Sequence, residues 1–268
     1  MRIAICVKQV PATSDVRIDR ATKQLKRDRG AVEMNQCDCY ALELALRLRE
    51  RYSASITAFT MGPPQARAVL KDCCALGAER AYLLCDEAFA GSDTYATAYI
   101  LAAAIRKDEA VYGKFDLVIC GKNSSDGDTA QVGPELAEQL DMAQLTGVCD
   151  TPEIDASELI APIDGEDSIH WVQVWTPALL TVGKTPHELR YATISGVIAA
   201  NRTSYIRTLT SADLPAMDVG EIGLDGSPTR TISTYVPDKK SNVSFVDGAS
   251  EAEKAQKLTG MLSRLISV

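Results

Sequence analysis

Long apolar runs are missing from this chain. No stretch approaches the roughly 18 consecutive apolar residues that a membrane-spanning helix needs. The amino-terminal run Arg2-Ile-Ala-Ile-Cys-Val7 is too short for the hydrophobic region of a signal peptide and reads as the first strand of a cytoplasmic protein. Histidine is scarce, with only His170 and His187. Among the eight cysteines (Cys6, Cys37, Cys39, Cys73, Cys74, Cys85, Cys120 and Cys149) no pair has C-x-x-C spacing. A zinc or iron–sulfur centre therefore has no support, and the thiols read as small buried hydrophobes in a reducing compartment. No G-x-G-x-x-G follows the first strand, and no G-x-x-x-x-G-K-[ST] occurs, which disfavours a standard dinucleotide fold or a P-loop NTPase. A G-x-S-x-G elbow is absent too. Asp126 and Asp128 have no histidine or further carboxylate placed to complete a hydrolytic set, so the chain reads as a binder more than a catalyst. A net charge of −8 spread along the sequence argues against a nucleic-acid surface.

What is present is ordinary globular material with one unusual stretch. The 268 residues, 46% apolar and 24% charged, suffice for a full core. The first half alternates strand and helix. Strands are expected at Arg2–Val7, Ala54–Met61, Arg80–Cys85 and Asp116–Cys120. Helices are expected at Tyr40–Tyr52 with Asp38 as N-cap, at Gln65–Leu76 closed by Gly77, at Thr94–Arg106 capped by Asp93, and from Val132 onward. Residues Gln9 to Val32 read as a long loop or an irregular hairpin. Parallel neighbours need crossovers and helices supply them, so the fold class is α/β with a doubly wound, mostly parallel sheet. Ligands of such sheets bind outside the strands' carboxyl ends, where strand order reverses. That edge comprises Cys6 to Lys8, Thr60 to Pro63, Cys85 to Glu87 and Gly121 to Val132, joined by Asn35 to Asp38 if that helix starts at the same edge.

The unusual stretch is Gly121-Lys-Asn-Ser-Ser-Asp-Gly-Asp-Thr-Ala-Gln-Val132, a polar loop between a buried strand and a helix. Such a turn aims backbone N–H groups at whatever lies above the strand, which suits a phosphate. Ser124, Ser125 and Thr129 add hydroxyls, and Gly121, Gly127 and Gly133 allow close approach. The competing reading is an acidic connector, since Asp126 and Asp128 repel a phosphate unless they bind ribose hydroxyls or cap the helix.

The second half reads as short strands at Ser157–Pro162, Ser168–Trp175 and Ala178–Val182, with His170, Trp171 and Trp175 as packing residues. Beyond Leu214 the chain becomes an extended arm marked by Gly220, Gly223, Gly226 and Pro228. It ends in a helix with a capping box, Ser250 with Glu253, and an apolar stripe of Ala255, Leu258, Leu262 and Leu265. The expected division is an α/β domain over residues 1–213 and an arm with a terminal helix over 214–268.

An ordered set of segments resembles the β subunit of the electron transfer flavoproteins over nearly the whole chain. It comprises Cys6-Val-Lys-Gln-Val-Pro11, Met34-Asn35 with Cys39-Tyr-Ala-Leu-Glu-Leu-Ala-Leu46, Thr60-Met-Gly-Pro63, Cys74-Ala-Leu-Gly-Ala78, Asp93-Thr94 with Ala96-Thr97, and Gly121-Lys122 with Asp126-Gly-Asp-Thr-Ala-Gln-Val-Gly-Pro-Glu135. The resemblance implies a Rossmann-like, adenine-nucleotide-alpha-hydrolase-like domain holding either a structural AMP or, in the bifurcating branch, an FAD. The implied contacts are Cys6, Asn35, Gln36, Cys37, Asp38, Met61, Thr94, Thr97 and the loop Gly121, Lys122, Asn123, Ser124, Ser125, Asp126, Gly127, Asp128, Thr129, Ala130, Gln131 and Val132. Thr129-Ala-Gln-Val-Gly-Pro134 is similar to the FAD-carrying branch, where AMP-type members have Asn, Cys and Thr. The implied activity is hydride transfer from NADH, with one electron passing to a ferredoxin or flavodoxin and one to an α-subunit flavin serving an acyl-CoA dehydrogenase. The α subunit is the implied heterodimer partner, with the terminal helix packing on it, and Ile194 occupies the place of the aliphatic side chain that anchors the dehydrogenase. Three departures stand out. Asn35-Gln36-Cys37 replaces Asn-Pro and an aromatic, Asn123-Ser-Ser125 replaces Gln-Ala-Ile, and Thr13-Ser14 stands where an acidic residue is usual. A non-bifurcating carrier with AMP and a stand-alone adenine-nucleotide sensor are the alternatives.

Overall fold

The computed structural model describes residues 1–12, 17–18, 25–26, 31–165, 167–202, 205–230, 232 and 245–266. They form two compact units, Met1–Arg230 and Thr231–Val268. Thr13 and Ser14 lie outside the described residues.

In the first unit, β1 (Arg2–Cys6) is followed by β2 (Gln9–Pro11), β3 (Arg17–Ile18), β4 (Leu25–Lys26) and β5 (Val32–Met34). Strands β2 and β5 pair antiparallel, as do β3 and β4, so the charged stretch after β1 folds back on itself as an irregular hairpin. Helix α1 (Gln36–Tyr52), β6 (Ser55–Met61), α2 (Arg67–Leu76), β7 (Arg80–Leu84), α3 (Thr94–Tyr112), β8 (Leu117–Gly121) and α4 (Val132–Leu140) complete the alternating half. Then come β9 (Ala143–Val148), β10 (Glu153–Asp155), β11 (Glu158–Asp164), β12 (Ile169–Trp175), β13 (Ala178–Val182), α5 (Ile194–Arg202) and β14 (Ile206–Leu209). The main sheet runs β10-β11-β9-β13-β8-β1-β6-β7-β14, with β12 paired to β11. From β9 through β14 in that order every pairing is parallel, while the β10–β11–β12 end is antiparallel. The doubly wound, mostly parallel sheet expected from alternation is what forms.

Helices cover both faces. One core layer joins Ile3, Ile5, Ile56 and Leu180 of the strands to Leu42, Leu46 and Leu48 of α1 and Leu70 of α2. The other joins Ala4, Phe59, Val118 and Leu179 to Ile100 and Ile105 of α3 and Leu136 of α4. Alternate residues of each central strand enter opposite layers, which is why these strands read as continuous apolar runs. Burying each large aliphatic side chain contributes roughly 1.5–3 kcal/mol.

Three sequence expectations change. Helix α1 begins at Gln36 rather than Tyr40, so Asn35 takes the N-cap position and Asp38 lies inside the first turn. The Asp38 carboxylate is engaged across the sheet edge and is not free to cap. Helix α3 continues to Tyr112 because Gly113, at φ 93°, is the first residue to break it. Trp171 and Trp175 do not pack: they are 66% and 62% exposed, on the same outward face of β12 as Ile169. A period of two fixes that these residues share a face but not which face turns inward, and here the smaller Val172 and Val174 do.

In the second unit α6 (Glu251–Ile266) is an amphipathic helix. Its start differs slightly from a standard capping box. Ser250 Oγ accepts the Glu253 N–H at 3.3 Å, but the Glu253 carboxylate takes the N–H of Ala249, one residue earlier, at 2.9 Å. Leu258 and Leu262 are about half exposed, and the side chain of Leu265 lies outside the described residues. Among the described residues no helix is long and apolar enough to cross a membrane, and no His/Cys/Asp/Glu cluster could hold a metal ion.

Candidate functional site

Strand order reverses at β1. The chain proceeds from β1 to β6 and β7 on one side, then returns to place β8 on the other. The crevice between the ends of β1 and β8 is therefore the switch point at which open α/β sheets bind ligands. A cleft opens there, lined from the ends of β1, β6 and β8, from α3 and from the Gly121–Val132 loop.

One buried carboxylate sets the floor. Asp38 Oδ2 accepts the Lys8 N–H at 2.7 Å and Oδ1 accepts the Gly121 N–H at 2.9 Å, tying the ends of β1 and β8 to the first turn of α1. Burial pushes this carboxyl up to about 7, against the pull of those two N–H groups, Asn35 and the Lys8 charge. Only glycine fits opposite it. A Cβ on Gly121 would lie 2.4 Å from Asp38 Oδ1 and 2.7 Å from Cys37 Cβ. Gly133 is similarly constrained, since a Cβ there would fall 2.4 Å from Thr181 Cγ2, so the start of α4 sits directly on the sheet.

Asn35 fixes the loop above the floor. Its Nδ2 donates to the Asn123 carbonyl at 2.8 Å and its Oδ1 accepts the Ser125 N–H at 3.1 Å, while its own N–H donates to the Lys8 carbonyl at 2.9 Å. Cys37 Sγ donates to Asn123 Oδ1 at 3.3 Å. Lys8 Nζ reaches both oxygens of Asp126 at 2.8 Å and Ser124 Oγ at 3.3 Å. Burial pushes Asp126 upward, but Lys8 and Ser124 together hold it below the usual carboxylate range. Asn123 Nδ2 donates to Asp128 Oδ1, and Asp128 and Ala130 both sit at positive φ, 50° and 55°. Two non-glycine residues in the left-handed region mark stored backbone strain beside the cleft. Helix α4 then starts with no side-chain cap on its first turn, so N–H groups at its N-terminus face the loop side unclaimed by a capping side chain.

The cleft gathers Cys6, Asn35, Asp38, Met61, Thr97, Gly121, Lys122, Asn123, Ser124, Thr129, Ala130, Gln131 and Val132 from the predicted set. Gln36, Cys37, Thr94, Ser125, Asp126, Gly127 and Asp128 stand behind its lining. Ser125 to Asp128 make the outer turn of the loop, and Thr94 Oγ1 instead donates to Glu135 Oε1 at 3.1 Å, joining the starts of α3 and α4. Val7 and Lys8 of the expected ligand edge and the close-approach Gly133 line the cleft too, as do Leu101 and Cys120, which the sequence did not single out as ligand residues. Leu101 lies one helical turn beyond Thr97, and Cys120 is the register partner of Cys6, so helical and strand periodicity carry the signal for both. The thiols of Cys6, pushed up to about 12, and Cys120 are held neutral by burial and present no reactive thiolate.

This arrangement suits the phosphates of a nucleotide: glycines that let the backbone approach, a helix start, hydroxyls, and two lysines at one sheet edge. Ile194 lies elsewhere, at the start of α5, 82% exposed.

Comparison with known proteins identifies the family. The electron transfer flavoprotein domain matches residues 22–214. The chain is 43% identical over 253 residues to the electron transfer flavoprotein subunit beta of Thermoanaerobacterium thermosaccharolyticum, covering 94% of this chain and 95% of the relative. It is 37% identical over 263 residues to the caffeyl-CoA reductase-Etf complex subunit CarD of Acetobacterium woodii, covering 98% of each. It is 35% identical over 260 residues to the protein FixA of Azorhizobium caulinodans, covering 96% of this chain and 92% of that one. The chain belongs to the electron transfer flavoprotein family and resembles its β subunits, which pair with α subunits.

Proposed function

We propose that the chain is the FAD-binding β subunit of a bifurcating electron transfer flavoprotein in a reducing cytoplasm. The observation that carries this reading is the switch-point cleft, where Asp38 ties the ends of β1 and β8 to the first turn of α1 and the Gly121–Val132 loop supplies Lys122, Ser124 and Thr129 to the lining. The cleft fits the adenosine and phosphate part of the cofactor. Gly121 and Gly133 permit backbone contact, the start of α4 offers N–H donors, and Lys8 and Lys122 supply positive charge. The flavin's chemistry there is acceptance of a hydride from NADH, with one electron leaving to a ferredoxin or flavodoxin and one to the α-subunit flavin.

The protein's own part is positional. Lys8, held by Asp126, is placed to exchange that carboxylate for a phosphate. Asn35 keeps the loop in register with β1, and Met61, Thr97 and Leu101 form the wall along which a group extends beyond the phosphates. The exposed Ile194 anchors the electron-accepting dehydrogenase. A relative named as part of a complex with caffeyl-CoA reductase supports a CoA-ester oxidoreductase, here an acyl-CoA dehydrogenase, as that partner. Residues 214–268 serve as the arm that binds the α subunit.

Cofactor analysis of the purified heterodimer tests the reading. Two FAD per dimer, with bleaching of flavin absorbance by NADH, is the expected result. One FAD with extractable AMP assigns the chain to the non-bifurcating branch instead, and a β chain that binds nucleotide and folds without its partner points to a sensor.

A further inference from the structure

We infer that Arg190 and Gly196 are positioning residues, pinning the two ends of one exposed segment to helices α1 and α2 so that Tyr191 and Ile194 are held out to solvent in a fixed geometry for docking. This rests on the reading of Ile194 as the partner's anchor.

At one end Arg190 makes an unusually complete clamp. Its Nε donates to Glu43 Oε2 at 2.9 Å and its Nη2 to Glu43 Oε1 at 2.8 Å, the forked geometry that only a guanidinium supplies. Its backbone N–H donates to the same Glu43 Oε2 at 3.2 Å, and its outer edge reaches the carboxylate of Glu50, two turns further along α1. Glu43 is a buried charge and needs such a partner. Burial pushes its carboxyl up, and the contacts from Arg190 outweigh that and bring it below the usual range. At the other end, a Cβ on Gly196 would lie 2.2 Å from the Ala75 carbonyl oxygen, so α5 starts in direct backbone contact with the last turn of α2. The Gly196 N–H donates to Thr193 Oγ1 at 3.1 Å, which closes the turn between the pins.

Between these fixed points the side chains face outward. Tyr191 is 99% exposed and Ile194 82%. Val197 and Ile198 follow Ile194 at i+3 and i+4, more than 40% exposed on the same face of α5. An anchor on a mobile loop would have to be ordered when the partner arrives. Here that ordering cost is met when the chain folds, the usual route to a pre-organised hot spot. Helix α1 carries Asp38 and the floor of the cleft at its start and the clamp carboxylates further along. A partner seated on Ile194 is thereby registered to the cleft through one rigid helix.

The test uses the αβ heterodimer, with purified acyl-CoA dehydrogenase titrated onto it, and amide hydrogen exchange of the heterodimer alone. Arg190→Lys keeps the charge and removes the fork, Gly196→Ala disturbs the second pin, and Ile194→Ala is the reference. Arg190→Lys and Gly196→Ala should each weaken association at least tenfold, quicken exchange across residues 191–198, and leave nucleotide content unchanged. Unchanged association for Ile194→Ala overturns the docking reading itself. A loss for Ile194→Ala combined with normal association or normal exchange for Arg190→Lys overturns the pinning inference alone. Should Arg190→Lys lower the folded yield, Glu50→Gln at the exposed end of the clamp is measured in the same way, with a smaller shift expected and no shift counting against the clamp.

Discussion

The two ends of the central sheet handle a buried carboxylate in opposite ways. At the amino end Asp108 is fully enclosed by formal charge and aromatic surface. One oxygen meets the Arg2 guanidinium, the other accepts from Tyr82 Oη at 2.9 Å, and Arg80 ion-pairs at 3.4 Å. Arg2 also lies 4.2 Å over the Phe115 ring and Arg80 4.1 Å over the Tyr112 ring. At the carboxyl end Asp38 meets, among the described residues, no guanidinium but two backbone N–H groups, the Asn35 side chain and the more distant Lys8 charge. Compensation by charges closes the amino end, whereas compensation by dipoles leaves a cleft beside Asp38 that a ligand's phosphate and its counter-charges can enter. On the proposed reading, the amino edge of the sheet serves stability and the carboxyl edge serves recognition.

The largest expected effect lies at the amino end. Asp108→Ala leaves two guanidiniums without their shared counter-charge, and removing one member of a buried pair costs about 3–5 kcal/mol. Both arginine side chains retain some access to water, so the lower figure, about 3 kcal/mol, is expected from the shift in urea midpoint, with nucleotide affinity of the folded fraction unchanged. A stability loss below about 1 kcal/mol would erase the contrast between the two ends.

The carboxyl end should show itself in pH dependence. The Asp38 carboxyl moves from an ordinary 3.8 to about 7 in the fold because burial disfavours its ionised form. Between those values the folded state keeps a proton that the unfolded chain has released. The contribution of Asp38 to stability therefore falls as pH rises from about 4 to about 7 and is level above that. Asp38→Asn removes this slope, so the difference in urea midpoint between wild type and variant should change across that window. Parallel curves would show that the site's dipoles compensate Asp38 as fully as the guanidiniums compensate Asp108.

Much of this was legible locally. Asp93 caps α3, its Oδ1 taking the Ala96 N–H at 3.1 Å, and Gly77 closes α2 at φ 125°, because caps and left-handed glycines are written in neighbouring residues. The alternation of four apolar runs with three helical patterns was enough to place the sheet edge at which the cleft opens. What escaped was contact between distant residues. Asn35 bridges to Asn123 and Ser125, 88 and 90 positions away, and neither partner marks the other by pattern. Strand β9 was unread because Ala143, Gln144 and Thr146 face solvent, leaving too little apolar alternation, and its irregularity at Gly147 (φ 80°) breaks the period. Helix α5 hid as well, since Ile194, Val197 and Ile198 form an apolar stripe that the fold leaves uncovered.

The smallest effect tests whether the strain in the Gly121–Val132 loop belongs to the recognition end of the sheet or is incidental. Ala130 lines the cleft at φ 55°, a conformation costing a residue with a Cβ roughly 1–2 kcal/mol. Glycine relieves that cost but gives the unfolded chain extra freedom worth roughly 0.5–1 kcal/mol, so Ala130→Gly should raise stability by only about 0.5 kcal/mol. Its effect on ligand binding should be opposite in sign and larger. A loop that no longer has one conformation forced on it must be ordered when the nucleotide enters, and equilibrium dialysis should find affinity reduced severalfold. If Ala130→Gly gains stability and keeps full affinity, the strain is unrelated to binding. The recognition end would then rest on the Asp38 and Asn35 ties alone.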